Sequence, residues 1–135
     1  DALRFPGHVK DMAAAYTITD ISLNISEQEG LPRVAIEAQA MGVPMIVSDT
    51  GPGREVALTA PDVAPSTASG LRVPYNNPEA VADAIQTMLS WTKAERQACG
   101  ARGAAHVRGR FTLQQLTAKT LAVYDRVLTK GLKGE

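Results

Sequence analysis

Strand-like and helix-like segments alternate along this chain with short connections, and this order constrains the fold more than any other feature. Residues 20–26 alternate apolar and polar side chains, which is typical of a strand, and residues 43–48 form the short apolar run of a buried parallel strand. Between them, residues 31–41 space their apolar side chains as a helix does, with Pro32 in the first turn and Gly42 at the end. Such an alternation predicts an α/β fold in which a Rossmann-like parallel sheet is flanked by helices.

The rest of the chain continues this pattern. We expect further short strands at residues 3–5 and 71–75, a helical turn at 54–58, and helices at 11–19, 77–90, 93–107 and 113–130. The expected N-caps are Asp11, Asn77 and Thr112. Two apolar stripes are expected to face the core: Val34, Ala35, Ala38 and Met41 in one helix, and Val81, Ala84, Ile85, Met88 and Leu89 in another. We therefore expect one domain, residues 1–135, that ends in C-terminal helices at about residues 93–130.

Charge, cysteine content and hydropathy exclude several classes of protein. Fourteen basic and fourteen acidic side chains cancel, so no net field attracts nucleic acid or an anionic membrane. The one cysteine, Cys99, rules out an internal disulfide framework and is typical of a reducing compartment, so we expect a cytoplasmic protein. No apolar run approaches the ~20 residues of a transmembrane helix.

Three loops follow predicted strands, namely those of Gly7, Glu29 and Asp49. The carboxyl ends of parallel strands meet at one edge of a sheet, and ligands of open α/β sheets bind there. We therefore expect the three loops to lie together and to form the ligand site.

Two carboxylates belong to this predicted site. Glu29 precedes the helix at residues 31–41, and Glu37 lies two turns into it. Free N–H groups at a helix start bind phosphate or diphosphate, and Gly30 would allow close approach. Glu29 could then accept hydrogen bonds from sugar hydroxyls, and Glu37 from a ribose diol. The residues alone leave open a second interpretation, in which Glu29 is a solvated residue favoured by the helix dipole and Glu37 is an exposed helix glutamate.

The order of four motifs resembles a known family. Glu29 to Glu37 matches the signature Glu-x7-Glu, and residues 37–51 continue it as EAQAMGVPMIVSDTG. Residues 4–26, 70–89 and 110–128 are similar to the family's flanking motifs, with Thr19 where alanine is usual. The chain thus resembles the C-terminal, nucleotide-sugar-binding part of the retaining glycosyltransferases of family 4, or group 1, which have the two-domain GT-B fold. The resemblance implies that this chain is a partial C-terminal half of such a fold.

The resemblance also implies residue roles. Glu37 would bind the ribose hydroxyls of the nucleotide, and Glu29, the catalytic candidate, would contact hydroxyls of the donor sugar. The backbone of Gly30 and Leu31 would face the diphosphate and the sugar.

The nucleotide base would lie against the loop of Gly7, His8 and Val9, although for His8 a solvent-facing imidazole stays an open alternative. Arg33 and Arg54 are expected to be solvated or structural, and the loop after residue 48 is expected to shape the site.

The implied reaction moves a hexose from a nucleotide diphosphate sugar to an acceptor hydroxyl, with retention of the anomeric configuration. No cofactor or metal is expected, because in this family protein cations and a helix N-terminus stabilise the leaving diphosphate. The sequence agrees with this expectation, since it has no Asp-x-Asp and its two histidines, His8 and His106, are far apart.

A complete member of the family has an N-terminal domain that binds the acceptor, and an arginine and a lysine that neutralise the diphosphate. This chain starts after all of these, so we expect it to be inactive alone and to need the missing N-terminal domain or a partner chain. The sheet would lack the two strands that precede Leu3, and its exposed edge would favour a homodimer.

Two other interpretations compete with a glycosyltransferase fragment. The first is a stand-alone, non-catalytic binding or assembly module that has the same fold and pairs with another chain. The second is a flavodoxin-like or receiver-type domain, which would need an acidic pocket at the first strand or a phosphate loop, and the sequence has neither.

Overall fold

A computed structural model describes residues 3–130, and over this range the chain has three strands and six α-helices. The strands are β1 (Ser22–Asn24), β2 (Met45–Ser48) and β3 (Gly70–Val73). The helices are α1 (Met12–Thr17), α2 (Arg33–Ala40), α3 (Gly51–Val56), α4 (Pro78–Ser90), α5 (Lys93–Arg110) and α6 (Leu113–Lys130). A single 3-10 turn spans Pro65–Thr67.

The three strands form one parallel sheet in the order β1-β2-β3. Ser22 pairs with Met45, and Met45 pairs with Gly70, so β2 is the central strand. All four residues of β2 are buried, as expected for a parallel strand that is covered on both faces. The predicted α/β class, with helices flanking a parallel sheet, is confirmed.

The core lies on both faces of the sheet because successive side chains of β2 point in opposite directions. Met45 and Val47 pack on one face with residues of α1, α2 and α3, and with Phe111 at the start of the last connection. Ile46 packs on the other face with Val73 and Met88 of α4. One central strand therefore joins the two halves of the core.

The buried stripe of α2 differs from the predicted one. Ala35, Ala38 and Gln39 are buried, whereas Val34 and Met41 are 49% and 45% exposed. A helix buries only the side that its neighbours cover, and α2 turns residues 35, 38 and 39 toward the sheet and α5. The prediction of Val34 and Met41 as core residues is therefore wrong.

Two other predictions need correction. Residues 3–5 form no strand, and Leu3 and Phe5 are 71% and 87% exposed. An extended segment becomes a strand only when a neighbour accepts its backbone hydrogen bonds, and within the described residues the sheet has no strand beyond β1 on that side. Leu89, expected in the stripe of α4, is 59% exposed, while Ala84 and Met88 are buried as predicted.

Helix starts agree with the predicted caps. Asp11, Asn77 and Thr112 each accept a hydrogen bond from the backbone N–H three residues later. The predicted turn at residues 54–58 is α3, which starts earlier, after the Thr50 cap. Helix α5 runs on to Arg110 and begins with a capping box between Thr92 and Glu95 that was not predicted.

Helix α6 exposes most of its apolar side chains. The exposed members, between 45% and 83% accessible, are Leu113, Leu116, Leu121, Val123, Tyr124 and Leu128. This helix follows α5 after a two-residue connection, and the groove described below lies beside its first turns.

Candidate functional site

The loops that follow β1 and β2 are held together at the carboxyl edge of the sheet. The backbone N–H of Ser26 donates to Ser48 Oγ at 3.2 Å, and that hydroxyl donates to the carbonyl oxygen of Ser26 at 2.6 Å. The predicted meeting of the Glu29 and Asp49 loops at one edge is therefore confirmed. The Gly7 loop is different, because no strand precedes it in the described residues, so its predicted position after a strand is wrong.

Glu29 is exposed but is held by its own loop. Its Oε1 accepts a hydrogen bond from Ser26 Oγ at 2.9 Å and a longer one from Asn24 Nδ2 at 3.5 Å. The second oxygen carries the remaining acceptor capacity of the carboxylate. Glu29 is thus an oriented acceptor at the end of β1.

The start of α2 lies between the two glutamates. Pro32 is its N-cap, and no side chain caps the free N–H groups of the first turn. A Cβ added to Gly30 would meet nothing within 4 Å, so the space beside this turn is open to a ligand. Leu31, which stands between Gly30 and Pro32, is 46% exposed.

Glu37 lies on the solvent side of α2, where its side chain is 44% exposed. Its ion pair with Arg33 has an N–O distance of 3.8 Å, and the Arg33 side chain is 84% exposed, so this pair contributes little to stability. Arg33 is solvated, in agreement with the expectation from the sequence.

A groove of about 530 Å³ borders Glu37 and runs from α2 to the start of α6. Its apolar wall includes Leu31, Ile36 and Phe111. Charged side chains of both signs also line the groove: Arg33, Glu37, Glu55, Arg110 and Lys119. The groove contains Glu37 and Leu31 but none of Gly7, His8, Val9, Glu29 and Gly30.

Tyr16 supports the first turn of α2 from the other side. Its hydroxyl donates to the carbonyl oxygen of Val34 at 3.2 Å, and its ring belongs to the core. Burial, and to a smaller extent the Glu37 carboxylate, raises the pKa of Tyr16. This phenol therefore stays protonated and remains a hydrogen-bond donor to the first turn of α2.

Asp49, at the end of β2, contacts α3 through Arg54 and β3 through Arg72. Its Oδ1 lies 2.8 Å from Arg54 Nε and 3.2 Å from Arg72 Nε, and Arg72 also pairs with Asp62. The hydrogen bond from Arg54, followed by the charge of Arg72, lowers the pKa of Asp49. Arg54 therefore has a structural partner, as the sequence suggested.

The loop of Gly7, His8 and Val9 is mostly exposed, and Gly7 has a positive φ of 70°. Its side chains make none of the hydrogen bonds described for Glu29 or Glu37. Across residues 3–130, no group of three histidine, cysteine, aspartate or glutamate side chains could hold a metal ion.

Comparison with known proteins decides the family. The family described as glycosyl transferases group 1 matches residues 1–90. The chain belongs to this family. A D-inositol 3-phosphate glycosyltransferase of Kineococcus radiotolerans is 32% identical over 119 residues, which are 87% of this chain and 27% of that protein.

Two solved structures share the fold. A sucrose-phosphate synthase from Thermosynechococcus elongatus has a TM-score of 0.72 at 28% identity, and the match covers 87% of this chain and 27% of that one. A glycosyltransferase from Rickettsia africae has a TM-score of 0.74 at 27% identity, and the match covers 92% of this chain and 31% of that one. These likenesses confirm the prediction of part of a GT-B fold. The chain spans less than a third of the length of these relatives.

Within the described part of this member of the group 1 family, no helix is both long and apolar enough to cross a membrane. Sequence reasoning missed four residues that shape the site, namely Tyr16, Ser26, Ser48 and Arg72. Ser26 had a local signal, because it stands three positions before Glu29. The other three act on residues at least 18 positions away, or across strands, so spacing along the chain could not identify them.

Proposed function

We propose that this chain is the donor-binding part of a glycosyltransferase that moves a hexose from a nucleotide diphosphate sugar to an acceptor hydroxyl with retention of the anomeric configuration. The observation that carries the proposal is the position of Glu29 and Glu37 on either side of the uncapped start of α2, in a chain of the group 1 family. This arrangement offers an acceptor for sugar hydroxyls, a set of free N–H groups and an acceptor for a diol.

In this proposal, Glu37 accepts hydrogen bonds from the two ribose hydroxyls of the nucleotide. Its partial exposure and its weak pairing with Arg33 support this role, because a ligand can replace the arginine at little cost. Glu29 accepts hydrogen bonds from hydroxyls of the donor sugar, which the open carboxylate oxygen supports.

In this proposal the backbone N–H groups of Gly30 and Leu31, together with the free N–H groups in the first turn of α2, face the diphosphate and the sugar, because a helix start favours anions. The base lies against Gly7, His8 and Val9, a part that depends on the family resemblance alone. The diphosphate is held without a metal ion, by these N–H groups and by cations of the complete enzyme.

The acceptor is bound by a part of the protein outside this chain, so we propose that the chain alone does not transfer sugar. The chain is much shorter than its relatives, which supports this view.

The exposed apolar side of α6 would contact the N-terminal domain or a partner chain. A second copy pairing with the edge strand β1 is part of the same proposal. A cytoplasmic location is also part of the proposal, since the sequence has one cysteine, Cys99, and its free thiol is typical of a reducing compartment.

Calorimetric titration with UDP, GDP and ADP tests the proposal. We expect one of the three to bind, and the Glu37→Gln variant to bind it roughly tenfold more weakly, since a hydrogen bond to a charged group is worth about 1.5 kcal/mol or more. Glu79→Gln, which changes an exposed glutamate in the first turn of α4, is the matched control and should not alter binding. Absence of binding, or equal affinities for wild type and Glu37→Gln, would contradict the donor-site proposal and favour a non-catalytic assembly module.

A further inference from the structure

The loop after β1 is anchored by a buried hydroxyl where the backbone ladder ends. The last ladder pair of the two strands is Asn24 with Val47. Two residues later, Ser48 Oγ accepts from the N–H of Ser26 and donates to its carbonyl oxygen. Ser48 is only 2% exposed. Its hydroxyl therefore takes the place of one backbone hydrogen-bonded pair of the sheet, at a position that is shielded from water.

The backbone around Ser48 is itself held by α3 and β3. A Cβ on Gly53 would lie 2.3 Å from the carbonyl oxygen of Ser48, so the first turn of α3 packs directly against the end of β2. The N–H of Asp49 donates to the carbonyl oxygen of Val73 at 2.8 Å, which continues the pairing with β3. The anchor of the Ser26 loop is therefore part of the rigid core.

Ser26 passes this restraint on to Glu29. While its backbone is bound to Ser48, its side-chain hydroxyl donates to Glu29 Oε1 at 2.9 Å. Asn24, the last residue of β1, adds a longer hydrogen bond to the same oxygen. A chain of contacts thus runs from the buried end of β2 to an exposed carboxylate.

We propose that Ser48 and Ser26 are positioning residues that hold Glu29 in the orientation that accepts donor-sugar hydroxyls. This inference rests on the proposed function, in which Glu29 contacts the sugar. A free glutamate loses side-chain entropy when a ligand fixes it, and this loss weakens binding. In this chain Ser26 fixes one carboxylate oxygen before the ligand arrives, and the other oxygen is left for the sugar.

The test compares the binding of a nucleotide sugar with that of its free nucleotide by the 135-residue chain. Three pairs of probes are screened first: UDP-glucose with UDP, GDP-mannose with GDP, and ADP-glucose with ADP. The pair that binds to the wild type is then used for all variants. Ser26→Ala removes the hydroxyl that reaches Glu29, but keeps the backbone contacts with Ser48. We expect a five- to tenfold loss of affinity for the nucleotide sugar, equal to that of Glu29→Gln, with no change for the free nucleotide.

Further variants separate positioning from folding. Ser26→Thr keeps the hydroxyl and should restore the affinity, while Ser22→Ala, at the amino end of the same strand, is the control and should change nothing. Ser48→Ala should increase amide hydrogen exchange at Ser26, Glu29 and Gly30 in the ligand-free chain, and should weaken nucleotide-sugar binding in parallel. Adding Ser26→Ala to Glu29→Gln should cause no further loss, because both remove the same contact.

Different results would overturn the proposed function and the positioning role of Ser26 and Ser48. If the wild type binds no nucleotide and no nucleotide sugar, the proposed function fails and this inference fails with it. If the wild type binds and Glu29→Gln weakens the nucleotide sugar but Ser26→Ala and Ser48→Ala do not, the positioning role alone is overturned. An equal loss for the free nucleotide in Ser26→Ala would also overturn it, since that result indicates general damage to the site.

Discussion

Gly100 on α5 lies directly against Gly42 at the end of α2: a Cβ on Gly100 would be 1.7 Å from the carbonyl oxygen of Gly42. Gly42 has a positive φ of 78°, which ends α2 and turns the chain into β2. The two glycines therefore set the distance between α5 and the helix that carries Glu37.

Gly100→Ala should destabilise the protein by roughly 3 kcal/mol, because α5 must move away from α2 to make room for the methyl group. Urea denaturation would measure the free energy of unfolding. Gly109→Ala on the same helix is the control, because a Cβ there would meet nothing within 4 Å. That variant should stabilise the protein by about 0.5–1 kcal/mol through helix propensity. Equal effects of the two variants would refute the close packing.

Gln39 should be the most sensitive polar residue of the core. Its Nε2 donates to the carbonyl oxygens of Ala35 and Val56, and its Oε1 accepts from Ser69 Oγ. Gln39→Leu keeps a similar volume but leaves buried partners unpaired, so we expect a loss of about 1–3 kcal/mol in thermal or urea unfolding. Gln86→Leu, at an exposed position of α4, should change stability by less than about 0.5 kcal/mol.

Stability should fall in acid partly because of Asp49. Its pKa is lowered below the ordinary value of 3.8 by the hydrogen bond from Arg54 and by Arg72. The folded state therefore favours the carboxylate, and the contribution is present above pH 3.8 and is lost as the pH falls through the lowered value.

Urea midpoints of wild type and Asp49→Asn, measured against pH, would test this contribution. The wild type should be more stable at neutral pH, and the difference should shrink in acid and in high salt, because Asp49 is partly exposed. The variant Asp83→Asn on α4 serves as the comparison. A difference that stays constant down to the most acidic pH would contradict the assignment.

Nucleotide binding should not depend on divalent cations. Titration of the nucleotide that binds should give the same affinity with excess EDTA and with added magnesium, because backbone N–H groups rather than a metal hold the diphosphate in the proposed site. Loss of binding in EDTA that magnesium restores would refute a metal-free site.

Self-association should depend on the edge of the sheet. Within residues 3–130, β1 has one neighbouring strand, and its Leu23 is 43% exposed. Leu23→Lys should shift sedimentation toward the monomer, because a charge on an edge strand opposes pairing. Ile18→Lys, which changes a residue that is 86% exposed and outside the sheet, should leave the distribution unchanged. A monomeric wild type at high concentration would exclude this homodimer.

The elements themselves could be predicted from short stretches of sequence. Asn77 and Pro78 indicated the start of α4, and Gly42 indicated the end of α2, because a cap or a stop depends on groups within three or four residues. The apolar run of β2 likewise indicated a buried parallel strand. The parallel order of strands then brought the loops of Glu29 and Asp49 to one edge.

Tertiary structure decided the features that depend on distant neighbours. Which side of α2 is buried, and hence why Gln39 lies in the core while Val34 does not, depends on where α5 packs. Residues 3–5 have a strand-like pattern but no strand to pair with in the described sheet. The hydroxyl of Ser48 anchors a residue 22 positions away, and only the alignment of two parallel strands gives it that contact. Local periodicity and capping determine the elements, whereas the partners of buried and edge groups are fixed by packing between elements that are remote in sequence.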